Sequence, residues 1–179
     1  MSDDYDVVLL VEQALTAQDA VQVRGLHEEI EEPVLYHVLV PVEDSAARIE
    51  AGMGTLGTGE VITAPALLSD PESLQEMQND LLDVARDAVK ASVAAIEGAG
   101  GKAVGDLLTV DPIQGLAGKV TEVDAREAII LTRPHVVSEF FHLDWTSRAR
   151  RKLGVPVLHL LEHENFDEQA GEGEGISGF

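Results

Sequence analysis

Two short apolar runs near the carboxyl end, Glu127 to Thr132 and Val155 to Leu161, restrict the folds open to this 179-residue chain more than any other feature. In the first, Ala128, Ile129, Ile130, Leu131 and Thr132 follow one another with no alternation of apolar and polar residues. That pattern marks a strand covered on both faces rather than one. About twenty residues separate the two runs, room for a right-handed crossover with one helix and little else. Two buried parallel strands joined this way imply an open α/β sheet, whose ligands sit outside the carboxyl ends of the strands. The loop from Arg133 to Thr146 is therefore the first place to look for function.

The rest of the chain reads as further strand and helix units. Val7 to Glu12 is a short apolar run of strand length. Thr16 and Asp19 then form a capping pair for a helix carrying Ala20, Val21, Val23, Leu26, His27 and Ile30, stopped by Pro33. Leu35 to Val42 is the next strand. Asp44 or Ser45 caps a short, irregular helix through Arg48, Ile49 and Met53, weakened by glycines 52, 54, 57 and 59, and Glu60 to Ala64 is a candidate third strand. Ser69, Asp70 and Pro71 announce a long helix to Gly98, with a stripe of Leu74, Met77, Leu81, Val84, Ala88, Ala91 and Ala95. Gly100 and Gly101 end it, Ala103 to Val110 forms a strand, and Asp111-Pro112 opens a helix of Ile113, Leu116, Ala117, Val120 and Val123. The segment after Leu161, rich in Gly and Glu and poor in apolar residues, is expected to be a disordered acidic tail over 162–179.

Composition narrows the function classes. With 45% hydrophobic and 25% charged residues the chain can bury one core, so one main domain is expected. A formal charge of −21 argues against nucleic acid and anionic membranes as partners, because both need a basic footprint. No run approaches the roughly 18 apolar residues of a membrane span, and the start SDDYD is unlike a secretion signal. The expected location is cytoplasmic. The absence of cysteine removes disulfides, thiolate metal sites and thiol nucleophiles. Charge is uneven, however: five of the twelve basic residues (Arg133, Arg148, Arg150, Arg151 and Lys152) fall between 133 and 152.

The segment LYHVLVPVEDSAAR is similar to the opening strand and loop of the universal stress protein family, whose members typically read Val-Pro-Val-Asp-Gly-Ser there. The second half continues the likeness: a strand, Asp-Pro opening a helix, Val-Asp-Ala-Arg-Glu-Ala-Ile-Ile-Leu, a loop, a closing helix and Val-Pro-Val. The resemblance covers about residues 35–161 and implies a flavodoxin-like three-layer α/β sandwich with a mostly parallel sheet of order 3-2-1-4-5, often a homodimer. On this reading residues 1–33 are an amino-terminal βα extension, 34–161 the universal stress protein-like domain and 162–179 the tail. The strand in the extension would cover a sheet edge, in its own subunit or in the partner's. Pairing through the apolar VPVLHLL edge is the family's usual alternative.

One branch of the family binds ATP through a glycine-rich stretch after the fourth strand, where bare backbone approaches the phosphates. Here no glycine occurs between Gly118 and Gly154. Glu43 beside Asp44 also adds negative charge where a nucleotide would lie. The candidate ligand-binding residues are Val42, Glu43, Asp44 and Ser45 after one strand, with Thr132, Arg133, His135, Thr146 and Ser147 around the crossover loop. Arg133 and the hydroxyls of Thr146 and Ser147, at a helix start, suit a small anionic ligand such as a phosphate or carboxylate. The plainer reading is that Thr146 caps the closing helix and Arg148, Arg150, Arg151 and Lys152 form its solvated face. Phe140, Phe141 and Trp145 roof a pocket, meet a partner or pack in the core. His135, His142 and Asp144 match no short metal motif, and no Gly-x-Ser-x-Gly elbow accompanies Ser138 or Ser147, so neither a metal nor a catalytic residue is assigned.

The function expected from sequence is a non-catalytic, stress-associated binding or regulatory protein that does not take ATP in the usual way. The cofactor is left open, with ATP or another nucleotide among the options. The alternatives are a nucleotide-binding member with an altered phosphate loop, a hydrolase or transferase of the nucleotide-binding α/β group, and a purely structural dimer module.

Overall fold

The computed structural model describes residues 4–42, 71–132 and 152–161. Its strands are β1 (Tyr5–Val11), β2 (Val34–Pro41), β3 (Lys102–Leu108), β4 (Glu127–Thr132) and β5 (Val157–Leu161), and its helices are α1 (Ala17–Gly25), α2 (Pro71–Gly98) and α3 (Pro112–Glu122). The strands form one five-stranded sheet of order β3-β2-β1-β4-β5, and every neighbouring pair is parallel. This is the flavodoxin-like α/β fold expected from the sequence, and β4 and β5 lie side by side, with Ile130 opposite His159.

One placement is corrected. The run Val7 to Val11 does not cover an edge in this subunit or a partner's: β1 is the central strand, with Val8 opposite both His37 of β2 and Ala128 of β4. LYHVLVPV is accordingly the second strand, not the opening one. The reason lies in burial. Val7, Val8, Leu9 and Val11 expose no surface at all, and a strand reaches that state only with neighbours on both sides and helices on both faces.

Side chains alternate along β1 between two cores. Val7, Leu9 and Val11 join Val38, Val40, Ile129 and Leu131 beneath Ala20 and Val23 of α1 and Ala85 and Ile96 of α2. Val8 and Leu10 join Leu39, Ala128 and Ile130 against Leu116 and Val120 of α3. The long α2 begins at Pro71 and ends at Gly98 as read from sequence, and its 28 residues span about 42 Å. Its buried stripe overlaps the expected one but is shifted: Leu81 is buried and Ala88 and Ala95 pack against the core as expected, Ala85, Ser92 and Ile96 are buried as well, and Val84 is 68% exposed. A purely apolar search misses this orientation because the stripe includes a serine. In the α1 region the turn toward solvent likewise exposes Val21 and Leu26 and buries His27.

The expected helix through Arg48 to Met53, the expected strand at 60–64 and the expected acidic tail at 162–179 lie outside the described residues.

Candidate functional site

In a parallel sheet whose strand order reverses, the crossovers from the two central strands leave in opposite directions and open a crevice at their carboxyl ends. Here that point lies between β1 and β4. The strands end at Val11 and Thr132, and beyond them the Glu12 N–H donates to the Leu131 carbonyl at 3.2 Å, which holds the mouth of the crevice in register.

The loop from β1 to α1 is anchored from below. Ser92 of α2 is fully buried, its hydroxyl accepting from the Leu15 N–H at 3.0 Å and donating to the Ala88 carbonyl at 2.7 Å. At the start of α1, Thr16 and Asp19 form a reciprocal capping box. The Thr16 hydroxyl accepts from the Asp19 N–H at 3.2 Å, and the Asp19 carboxylate accepts from the Thr16 N–H at 2.9 Å. At the start of α3 the Asp111 carboxylate accepts from the N–H groups of Ile113 and Gln114 at 3.1 and 2.9 Å. Both helix starts therefore already hold a carboxylate where a phosphate would otherwise be attracted.

Two of the sequence-predicted residues are in view. Val42 donates its N–H to the Leu108 carbonyl at 2.8 Å, extending the β2–β3 ladder past Pro41. Thr132 ends β4 and its hydroxyl lies 2.8 Å from Nε2 of His159 on β5. Both stand at the carboxyl edge, on strands flanking β1, so two strand spacings, roughly 10 Å, separate them. Burial lowers the pKa of His159 below its ordinary value, so near neutral pH its ring is uncharged. Glu43, Asp44, Ser45, Arg133, His135, Thr146 and Ser147 lie outside the described residues, as do Phe140, Phe141 and Trp145.

Glu12 and Gln13, half-buried at the end of the central strand, are positions that sequence reasoning misses. A signal for them exists: they follow an apolar run of strand length, and the topological rule points to whichever strand lies at the reversal. Among the described residues no group of three or more His, Asp or Glu side chains is arranged to hold a metal ion, and no helix is long and apolar enough to cross a membrane.

No protein-family model matches the sequence, and no curated protein matches it either. Solved structures do. The protein MJ0577, a structural-genomics test case, superposes with a TM-score of 0.60 at 12% identity, covering 90% of this chain and 98% of that one. The universal stress protein UspA from Lactobacillus plantarum gives 0.54 at 14% identity, covering 89% and 99%. The hypothetical protein PH0823 gives 0.52 at 14%, covering 89% and 98%. The chain thus has a universal stress protein-like fold along nearly the whole length of these structures.

Proposed function

We propose that this chain is a non-catalytic binding or regulatory protein of the universal stress protein type, taking a small ligand over the carboxyl ends of β2, β1 and β4 without the phosphate grip usual for ATP. The observation that carries the reading is the filled state of the helix starts that follow the carboxyl ends of β1 and β3. The Asp19 carboxylate closes the Thr16 capping box of α1 and Asp111 caps α3, and the absence of glycine between Gly118 and Gly154 leaves the crossover segment without glycine for a backbone cradle. Glu12 adds negative charge at the end of β1, and in the sequence Glu43 and Asp44 follow directly after Val42. Arg133, His135, Thr146 and Ser147, which follow β4 in the sequence, are the groups we propose for a small anion.

Thermal shift and native mass spectrometry test this together. A ligand at a hundred times its Kd adds about 2.7 kcal/mol, which for a chain of this size raises Tm by roughly 5–10 °C. Magnesium-ATP, AMP and cAMP at millimolar concentration are expected to leave Tm unchanged. A shift of that size with retained nucleotide mass would overturn the reading in favour of a nucleotide binder, and turnover lost in Arg133→Ala would favour an enzyme. The cellular setting we propose is a cytoplasmic stress response. We also propose a homodimer joined through β5, an edge strand whose neighbour β4 covers only one side; light scattering should give a mass twice that of the 19.2 kDa chain.

A further inference from the structure

At the opposite end of the sheet from the proposed ligand crevice, the connection from α1 to β2 and the turn from α2 to β3 enclose a cleft of about 250 Å³. Its lining is chemically mixed. Arg24 and Lys102 supply two positive charges, Glu28 and Glu32 two negative ones, and Ile30, Pro33 and Val34 an apolar surface. Among the described residues the Arg24 Nε is buried without a hydrogen-bond partner, a condition that costs free energy unless something outside the chain satisfies it. The wall beside it is bare backbone. Gly100 has φ +83°, and a Cβ there would stand 3.9 Å from Arg24 Nε; at Gly101 a Cβ would lie 2.8 Å from Ile96 and 3.4 Å from the Tyr36 ring.

The floor is rigid and electrically defined. The Tyr36 hydroxyl lies 2.8 Å from Nδ1 of His27, whose Nε2 bonds to Glu127. Burial pushes the Tyr36 phenol up to about 12, so it stays protonated throughout the physiological range. The charged groups that line the cleft, among the described residues, are the Arg24 guanidinium, the Lys102 ammonium and the Glu28 and Glu32 carboxylates. A polyanion would be repelled by Glu28 and Glu32, in a chain already carrying −21. A simple cation would face Arg24 and Lys102. A solute with one charge of each sign satisfies both pairs, and the volume, equal to roughly eight waters, suits one with a short apolar side chain.

We infer that this cleft binds a free α-amino acid with an aliphatic side chain, its carboxylate on Arg24 and Lys102, its ammonium toward Glu28 and Glu32, and its side chain over Ile30, Pro33 and Val34. The site is separate from the one at the carboxyl ends of the strands and does not depend on the reading given for that one.

Calorimetric titration of the full chain with L-leucine, 4-methylpentanoate and 3-methylbutylamine tests it, since the last two each keep one charge of leucine and lack the other. Leucine should bind and the two fragments should bind at least tenfold more weakly. Arg24→Met and Glu32→Gln should each weaken leucine by a similar factor while leaving the far-ultraviolet circular dichroism unchanged. Because Arg24→Met also removes a buried contact, the wild-type chain supplies an independent reading: leucine should move the amide resonances of Gly100 and Gly101. Equal binding of 4-methylpentanoate, unmoved glycine resonances, or no saturation by leucine up to tens of millimolar would each overturn the inference.

Discussion

Ser92 shows how a single polar side chain can fix the position of a loop. Its hydroxyl accepts from the Leu15 N–H inside the core, so Ser92→Ala leaves a buried donor unsatisfied and should cost about 1–3 kcal/mol in urea unfolding. His159 makes a prediction in the pH dimension. Burial depresses its folded-state pKa below the ordinary 6.5, so in the window just under that value the unfolded chain takes up the proton more readily than the folded one. The stability contributed by the neutral ring is complete above 6.5 and is lost as pH falls toward the folded-state value. Tm should therefore drop as pH falls below about 6.5, and His159→Gln should flatten that drop; an equal drop in the variant would assign it to other groups. Single residues are also where the sequence is hardest to read. Ser92 looks like an interruption of an apolar stripe, and only the tertiary contact reveals it as a tie between α2 and the loop after β1.

Elements are more legible, because their ends carry local chemistry. The Thr16–Asp19 box, the Asp111-Pro112 start and the glycines after Gly98 each bracket a helix by hydrogen bonds that depend on near neighbours alone. The face a helix buries depends on distant partners, and there the apolar periodicity of α2 points to Val84 while the packing chooses Ala85. Two glycines separate these influences. At Gly118 of α3 an added methyl group would meet nothing within 4 Å, so Gly118→Ala should raise stability by about 0.4–1 kcal/mol through helix propensity and a less disordered unfolded chain. Gly105 of β3 lies under α2, where a Cβ would fall 2.4 Å from Val89 Cγ1. Gly105→Ala should therefore lower stability by about 1–3 kcal/mol. Thermal melts of the two variants side by side would show opposite shifts.

For the whole molecule, the sheet class and its parallel order are readable from buried strand runs and the spacing of the crossovers. The identity of the central strand is not. Both Tyr5–Val11 and Val34–Pro41 are apolar enough for that place, and a likeness of eight residues to a familiar opening strand favours the wrong one. The net charge makes its own prediction: self-repulsion at −21 should make Tm rise as sodium chloride is raised from low to physiological concentration. The central placement of β1 has a further consequence for how the protein is made. The strand leaves the ribosome before the other four, pairs with β2 after about thirty residues, and meets β4 only after about 120. At roughly 5–20 residues per second, one flank of a strand that is apolar from Val7 to Val11 stays uncovered for many seconds during translation. Nascent chains stalled before β4 should be captured by chaperones and cleaved readily by protease, and those extended past β5 should resist both.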